Sequence, residues 1–283
     1  MNWKGFLTRI LLVAVTFPLF WVLIFVLPQL HHLAFNAAVL IVSVIGAFEM
    51  ESLFRARKIQ TSRYFAPLLA GALPVLAYLE TASIVPQGSL WIGLVAALGA
   101  ILVRVALFQT DRSLDALLAL ASSSVFVLLY PAFFLTYIIR LSSLPDASLS
   151  MLLFLCMVFG NDMSAYFAGS LWGRGTRLGL PVSPQKSAVG FLAGLAGSLI
   201  VVFLFALAVP RFMRFGWLPD ALLALGIGAT VILGDLVESG LKRSASVKDS
   251  GLVIPGRGGV LDSVDSMIFS APLLYCILSM AVS

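Results

Sequence analysis

Apolar positions along this chain come in unbroken runs of about 20 residues, the length that carries a helix across the hydrocarbon of a bilayer. Nine such runs can be drawn, at about 6–28, 33–54, 64–80, 88–108, 114–139, 149–172, 187–209, 218–240 and 262–282. Polar or turn-forming pieces separate them: Pro28 to His32, Arg55 to Arg63, Thr81 to Gln87, Gln109 to Ser113, Leu141 to Ser148, Gly173 to Lys186, Pro210 to Trp217, and the long loop Leu241 to Leu261. The short alternating segments of a membrane barrel are missing. The pattern predicts an all-α fold, a polytopic integral membrane helical bundle with about nine transmembrane helices. No linker resembles a boundary between soluble domains. By content the chain divides into an N-terminal transmembrane region, 1–140, and a C-terminal transmembrane region, 141–283, that carries the chemistry.

Composition agrees. Only 11% of the 283 residues are charged and 60% are hydrophobic, whereas a soluble domain is about 25% charged. Charge then orients the bundle. With the N-terminus in the cytoplasm, inner segments hold 14 of the 18 Lys and Arg residues and outer segments three, with Arg104 inside the fourth span. The opposite topology inverts this ratio and breaks the positive-inside rule. The formal charge of +5 therefore reflects basic cytoplasmic loops, not nucleic-acid binding. The expected location is a multi-pass membrane protein whose active site faces the cytoplasm, at the inner membrane in a bacterium. Met1 to Arg9 is basic and leads into an apolar run without a small-residue cleavage site, which predicts a retained first helix. Cys156 and Cys276 fall inside apolar runs and are expected as buried thiols.

Ionisable groups inside a span are costly unless paired, hydrated or metal-bound. Asn161 and Asp162 sit deep in the sixth span, followed by Ser164 and Tyr166. Glu49 and Glu51, near the inner end of the second, are expected to snorkel or to pair with Arg55. Glycines at 190, 194 and 197, and at 226, 228 and 234, are expected to let helices approach closely. His31 and His32 read as a short outer turn rather than a metal site. In the loop 173–187, Arg174, Arg177 and Lys186 are candidate phosphate contacts, and Lys186 stands where a helix opens.

The densest polar stretch runs from Gly234 to Ser270. Asp235, Glu238, Ser239 and Lys242 fall at i, i+3, i+4 and i+7, one face of a helix, and Asp262 and Asp265 share a face of the next. Between them lie Arg243, Lys248, Asp249, Arg257 and the glycines Gly256, Gly258 and Gly259. Mg2+ takes one or two carboxylates completed by phosphate and water, two metals can clamp the attacking and leaving oxygens, and glycines let backbone amides approach phosphate. This pattern points to one or two Mg2+ ions held by Asp235, Asp262 and Asp265, with basic residues on phosphate. An ion-coupled transporter would also use intramembrane Asp162 and Asp235, but carriers repeat such polar groups in paired halves, and here they crowd into one half.

At these residues the chain resembles the phosphatidate cytidylyltransferases, or CDP-diacylglycerol synthases. Ser239, Lys242, Arg243, Lys248, Asp249, Gly251, Pro255, Gly258, Gly259, Asp262 and Asp265 fall in register with that family's C-terminal signature. Asn161-Asp162 through Ala165-Tyr166 and Gly169, and Ser183-Pro184-Gln185-Lys186-Ser187, are similar to two upstream elements. Arg257 stands where the family has His, Ser263 where it has Arg, and Val189 where it usually has Glu. The resemblance covers about 145–275. It implies a Mg2+-dependent transfer of CMP from CTP to phosphatidic acid drawn from the bilayer, giving CDP-diacylglycerol and pyrophosphate. Asp235, Asp262, Asp265, Lys242 and Asp249 would be catalytic. Lys186, Arg243, Lys248, Arg257, Ser239, Asn161, Asp162, Gly258 and Gly259 would bind substrate. A homodimer is compatible with this reading, and a related cytidylyltransferase acting on another lipid phosphate is its nearest alternative.

Overall fold

The structure is a computed structural model that describes residues 15–107, 114–213, 216–254 and 258–282. Ten helices follow in chain order among the described residues: α1 (Val15–Val26), α2 (Gln29–Ala56), α3 (Phe65–Thr81), α4 (Ser89–Leu107), α5 (Leu114–Val127), α6 (Thr136–Arg140), α7 (Ala147–Trp172), α8 (Ala188–Ala208), α9 (Trp217–Ser244) and α10 (Leu261–Val282). The only β pairing among these residues is three isolated bridges in loops. Seven helical stretches are long and apolar enough to cross a membrane, and α1 and α3 are shorter apolar helices on the first and third predicted runs. Large apolar side chains such as Ile92, Val95, Leu192, Phe203 and Leu207 stand exposed along these helices. In water such surfaces would drive association; against lipid they cost nothing. The chain is an all-α, multi-pass membrane protein. The first part of the first predicted run, and the loop at 108–113, lie outside the described residues.

The chain folds into two compact units, each discontinuous in sequence. One comprises Met1–Phe35, Leu144–Gly240 and Asp265–Ser283; the other comprises Asn36–Ser143 and Leu241–Val264.

In the first unit α7 packs extensively against α8. Glycine makes this approach possible: a Cβ on Gly197 would stand 2.7 Å from the Gly160 carbonyl oxygen. The buried Asn161 amide donates to Ser198 Oγ of α8 (3.0 Å) and to the Gly228 carbonyl of α9 (3.2 Å), tying three helices together. His32 sits in a left-handed turn, Leu30 to His32, at the start of α2, and its Nε2 is 2.9 Å from Ser148 Oγ. Both cysteines are free; Cys156 is half-buried, but Cys276 is exposed, contrary to expectation, because its position on α10 faces outward.

In the second unit α3 is central, packed against α4, α5 and α6. The predicted run 114–139 is not one uniform helix. After α5 it passes through a π-type turn, Leu128–Phe133, and resumes as α6. Pro131 lies in that turn and lacks the N–H that a regular helix would use. Buried Glu80 accepts from Leu90 N at the start of α4 (2.9 Å) and pairs with Arg140 at 3.6 Å. The Arg104 guanidinium lies 4.5 Å from the centre of the Phe65 ring.

Candidate functional site

In the first unit the polar groups gather where α8 begins and α9 passes. The segment after α7 makes a tight 3-10 turn, Gly173–Thr176, then a small hairpin closed by bridges between Arg177 and Ser187 and between Leu180 and Ser183. The hairpin delivers Lys186 to the start of α8. Ser187 caps that helix, its hydroxyl accepting from Gly190 N at 3.1 Å. The Lys186 ammonium forms an ion pair with Asp235 on α9 and lies 5.7 Å from the centre of the Phe191 ring. Ser239, one turn along α9, donates to the other Asp235 oxygen at 3.4 Å. The Asp235 side chain is 36% exposed, so solvent and solutes reach it. Asp265 is buried on α10, and its backbone carbonyl packs directly on Gly234. Asp162 is half-buried on α7, next to Asn161.

In the second unit the signature loop is organised around Asp262. One carboxylate oxygen, Oδ2, accepts from Ser250 N (2.8 Å), Ser250 Oγ (2.9 Å) and Gly259 N (2.7 Å). The other, Oδ1, holds the Lys242 ammonium at 2.5 Å. Ile254 and Gly258 pair through two backbone hydrogen bonds. Gly258 has φ +110°, and a Cβ there would stand 2.6 Å from Asp262 Oδ2, so both backbone and space demand glycine. Arg243, Lys248 and Asp249 are exposed. Arg257 lies outside the described residues.

Glu49 was not singled out for this loop by its sequence context. It neither snorkels nor meets Arg55; Glu51 takes that role, pairing with Arg55 and accepting from Thr61. Glu49 is buried and accepts from Val260 N (2.9 Å), Leu261 N (2.7 Å) and Ser250 Oγ (3.1 Å). Ser250 also escaped notice. The available signal was the carboxylate itself, since an ionisable group in an apolar helix needs donors from somewhere.

Among the described residues no three His, Cys, Asp or Glu side chains are gathered closely enough to enclose a metal ion. A Mg2+ site here would be completed by phosphate and water, as such sites usually are. The donors fit that chemistry in part. Asp235 offers a reachable carboxylate beside a hydroxyl. Asp262 would have to offer Oδ1, now paired with Lys242, because Oδ2 accepts from Ser250 and Gly259.

A model described as the cytidylyltransferase family matches residues 7–281. The chain is 32% identical over 268 residues to the phosphatidate cytidylyltransferase of Synechocystis sp., covering 85% of this chain and 87% of that protein. It is 37% identical over 145 residues to the phosphatidate cytidylyltransferase of Bacillus subtilis, covering 51% of this chain and 53% of that one. With the protein of the same name from Staphylococcus aureus (strain COL) the identity is 42% over 124 residues, 43% of this chain and 46% of that one.

Proposed function

We propose that this chain, which belongs to the cytidylyltransferase family, transfers the cytidylyl group of CTP to phosphatidate at the membrane surface. A phosphate oxygen of the lipid attacks the α-phosphorus of CTP, the bond to the β-phosphate breaks, and pyrophosphate leaves. The product is CDP-diacylglycerol. Phosphatidate already carries an anionic oxygen at neutral pH, so no strong general base is required. The observation that carries the reading is the similarity to a phosphatidate cytidylyltransferase across 85% of the chain.

Asp235 and Asp262, with Asp265, are the residues that would hold Mg2+, which would neutralise the triphosphate and the departing pyrophosphate. Each of the first two now holds a lysine, Lys186 and Lys242 respectively. A triphosphate arriving with its cation supplies new partners of the right sign for both members of each pair. Lys186, Lys242, Arg243, Lys248 and Arg257 then serve as phosphate contacts. On this reading Asp249 is catalytic, and Ser239, Asn161, Asp162, Gly258 and Gly259 bind substrate. Nucleic acid has no part in the reaction. The active site faces the cytoplasm, where CTP is, and the acyl chains enter from the bilayer; a homodimer would be revealed by crosslinking in native membranes.

The test is detergent-purified protein incubated with labelled CTP, Mg2+ and phosphatidate. Formation of CDP-diacylglycerol with equimolar pyrophosphate is expected, and none without Mg2+. A panel of other lipid phosphates and polyprenyl phosphate separates phosphatidate from rival acceptors. Absence of pyrophosphate release with every acceptor would refute the assignment.

A further inference from the structure

The signature loop of the second unit is held from outside itself. Helix α10 begins at Leu261, and the first N–H groups of any helix lack partners within it. Here two carboxylates take the N–H groups at that start and just ahead of it. Gly259 N goes to Asp262, within the loop, whereas Val260 N and Leu261 N both go to Glu49. Glu49 lies on α2, more than 200 residues away in sequence. Its charge also sits at the positive end of the α10 dipole.

The same carboxylate shapes the loop by occupying space. A Cβ added to Gly251 would stand 2.5 Å from Glu49 Oε1, and one added to Gly259 would stand 2.5 Å from Oε2. Glu49 thus fills the room a side chain would take at Gly251, and it shares that role with the Ser250 hydroxyl at Gly259. Ser250 completes the arrangement: its hydroxyl is 3.1 Å from Glu49 Oε2 and 2.9 Å from Asp262 Oδ2. Its single proton serves one carboxylate at a time, so the hydroxyl bridges the two.

We infer that Glu49 is a positioning residue for cytidylyl transfer, holding the Ser250–Asp262 loop so that Asp262 keeps Oδ1 turned towards Lys242. The inference rests on the cytidylyltransferase reading for its kinetic consequences, but not for its structural ones. The hydrogen bonds of the Glu49 carboxylate go to Ser250, Val260 and Leu261. Glu49 acts through Asp262, as the partners behind metal ligands and catalytic carboxylates do.

The experiment compares wild type with Glu49→Gln, Glu49→Asp and, as a control, Glu80→Gln. Glu80 is also a buried carboxylate at a helix start in the same unit, but it serves α4. Each protein is examined by hydrogen exchange over 245–262 without substrate, by kcat, by KM for phosphatidate, by Mg2+ requirement and by thermal stability. In Glu49→Gln an amide NH2 must face backbone N–H donors. Exchange at Gly259 to Leu261 should accelerate at least about tenfold. Turnover should fall about 10- to 100-fold, with a higher Mg2+ requirement and KM for phosphatidate within about threefold. Glu49→Asp keeps the charge and should recover part of both losses. Glu80→Gln should leave loop exchange and Mg2+ requirement at wild-type values, whatever it does to stability.

Wild-type loop exchange in Glu49→Gln overturns the inference. So does unchanged kcat with only a lower melting temperature, which is a purely structural tie. If Glu49→Gln does not fold, Glu49→Asp decides by the same two readouts. If wild type itself makes no CDP-lipid, the cytidylyltransferase reading falls, while the exchange comparison still decides whether Glu49 holds the loop.

Discussion

Gly234 offers a sharp test of how tightly the first unit is built around Asp235. A Cβ on Gly234 would lie 2.5 Å from the Asp265 carbonyl oxygen, 3.1 Å from Ser266 Cα and 3.2 Å from Asp265 C. All three are backbone atoms of α10, so no side-chain rotation relieves the contact. Comfortable separations are about 3.5–4.0 Å between carbons, so α9 and α10 must part locally by roughly 0.5–1 Å. Overpacking of this kind costs about 1–3 kcal/mol. Against it stands the helix propensity of alanine, worth about 1 kcal/mol over glycine. Set against each other, the two leave Gly234→Ala destabilised by up to about 2 kcal/mol. For a chain of this size that lowers the melting temperature by up to roughly 8 °C.

The same helix supplies the control. A Cβ on Gly226 would meet only Leu273 Cδ2, at the ordinary distance of 3.6 Å. Gly226→Ala should therefore be neutral or stabilising by up to about 1 kcal/mol. Turnover should separate the pair further, because Gly234 adjoins Asp235 and presses on Asp265. A displacement approaching 1 Å at a reacting constellation costs about 100-fold. Thermal unfolding in detergent and Mg2+-dependent CDP-lipid formation would be measured on both variants. If Gly234→Ala is as stable and as active as Gly226→Ala, the close approach of α9 and α10 at Asp265 is wrong.

Three further outcomes are expected. Asp235→Asn and Asp262→Asn should each lower turnover at least about 100-fold in folded protein, and the double variant should be little worse, since members of one catalytic unit are not additive; full activity in either single variant removes it from the metal site. Asn161→Ala loses two interhelical hydrogen bonds, each worth about 0.6–1.7 kcal/mol in a membrane, so it should lower the melting temperature measurably, and an unchanged one would refute the three-helix tie. In protein lacking Cys156 and Cys276, a cysteine placed at Ser246 should react with an impermeant reagent only after cells are permeabilised, whereas one placed at Ser283 should react in intact cells; the reverse pattern would overturn the topology.

The helices were legible because the bilayer imposes a length and a composition on every crossing, and both are written in the chain. Proline was less readable. Pro74 and Pro272 sit inside α3 and α10, which continue through them, whereas Pro131 lies in the π-type turn. Neighbouring helices can satisfy the freed carbonyl in a membrane, so the outcome depends on packing that local sequence does not carry. The discontinuous units were hidden for a related reason. The 241–264 segment joins 36–143 through contacts such as those of Glu49, which leave no trace in local periodicity.

The candidate site shows the same boundary between local and tertiary information. The spacing of Asp235, Ser239 and Lys242 told correctly that they share a helical face, because 3.6-residue periodicity is local. It did not tell which oxygen meets which donor. Asp262 looked like an open ligand, yet its carboxylate accepts three hydrogen bonds from its own loop. Glu49 looked like a surface anchor, yet it is 7% exposed and bound to that loop. A buried carboxylate advertises a demand for N–H groups, and a glycine-rich helix start advertises a supply. Each half is visible in the sequence, more than 200 residues apart. Matching them requires knowing that α2 runs past the start of α10, which only the fold decides. The signature loop, with Gly258 and Gly259 just ahead of α10, is the one such supply in the densest polar stretch.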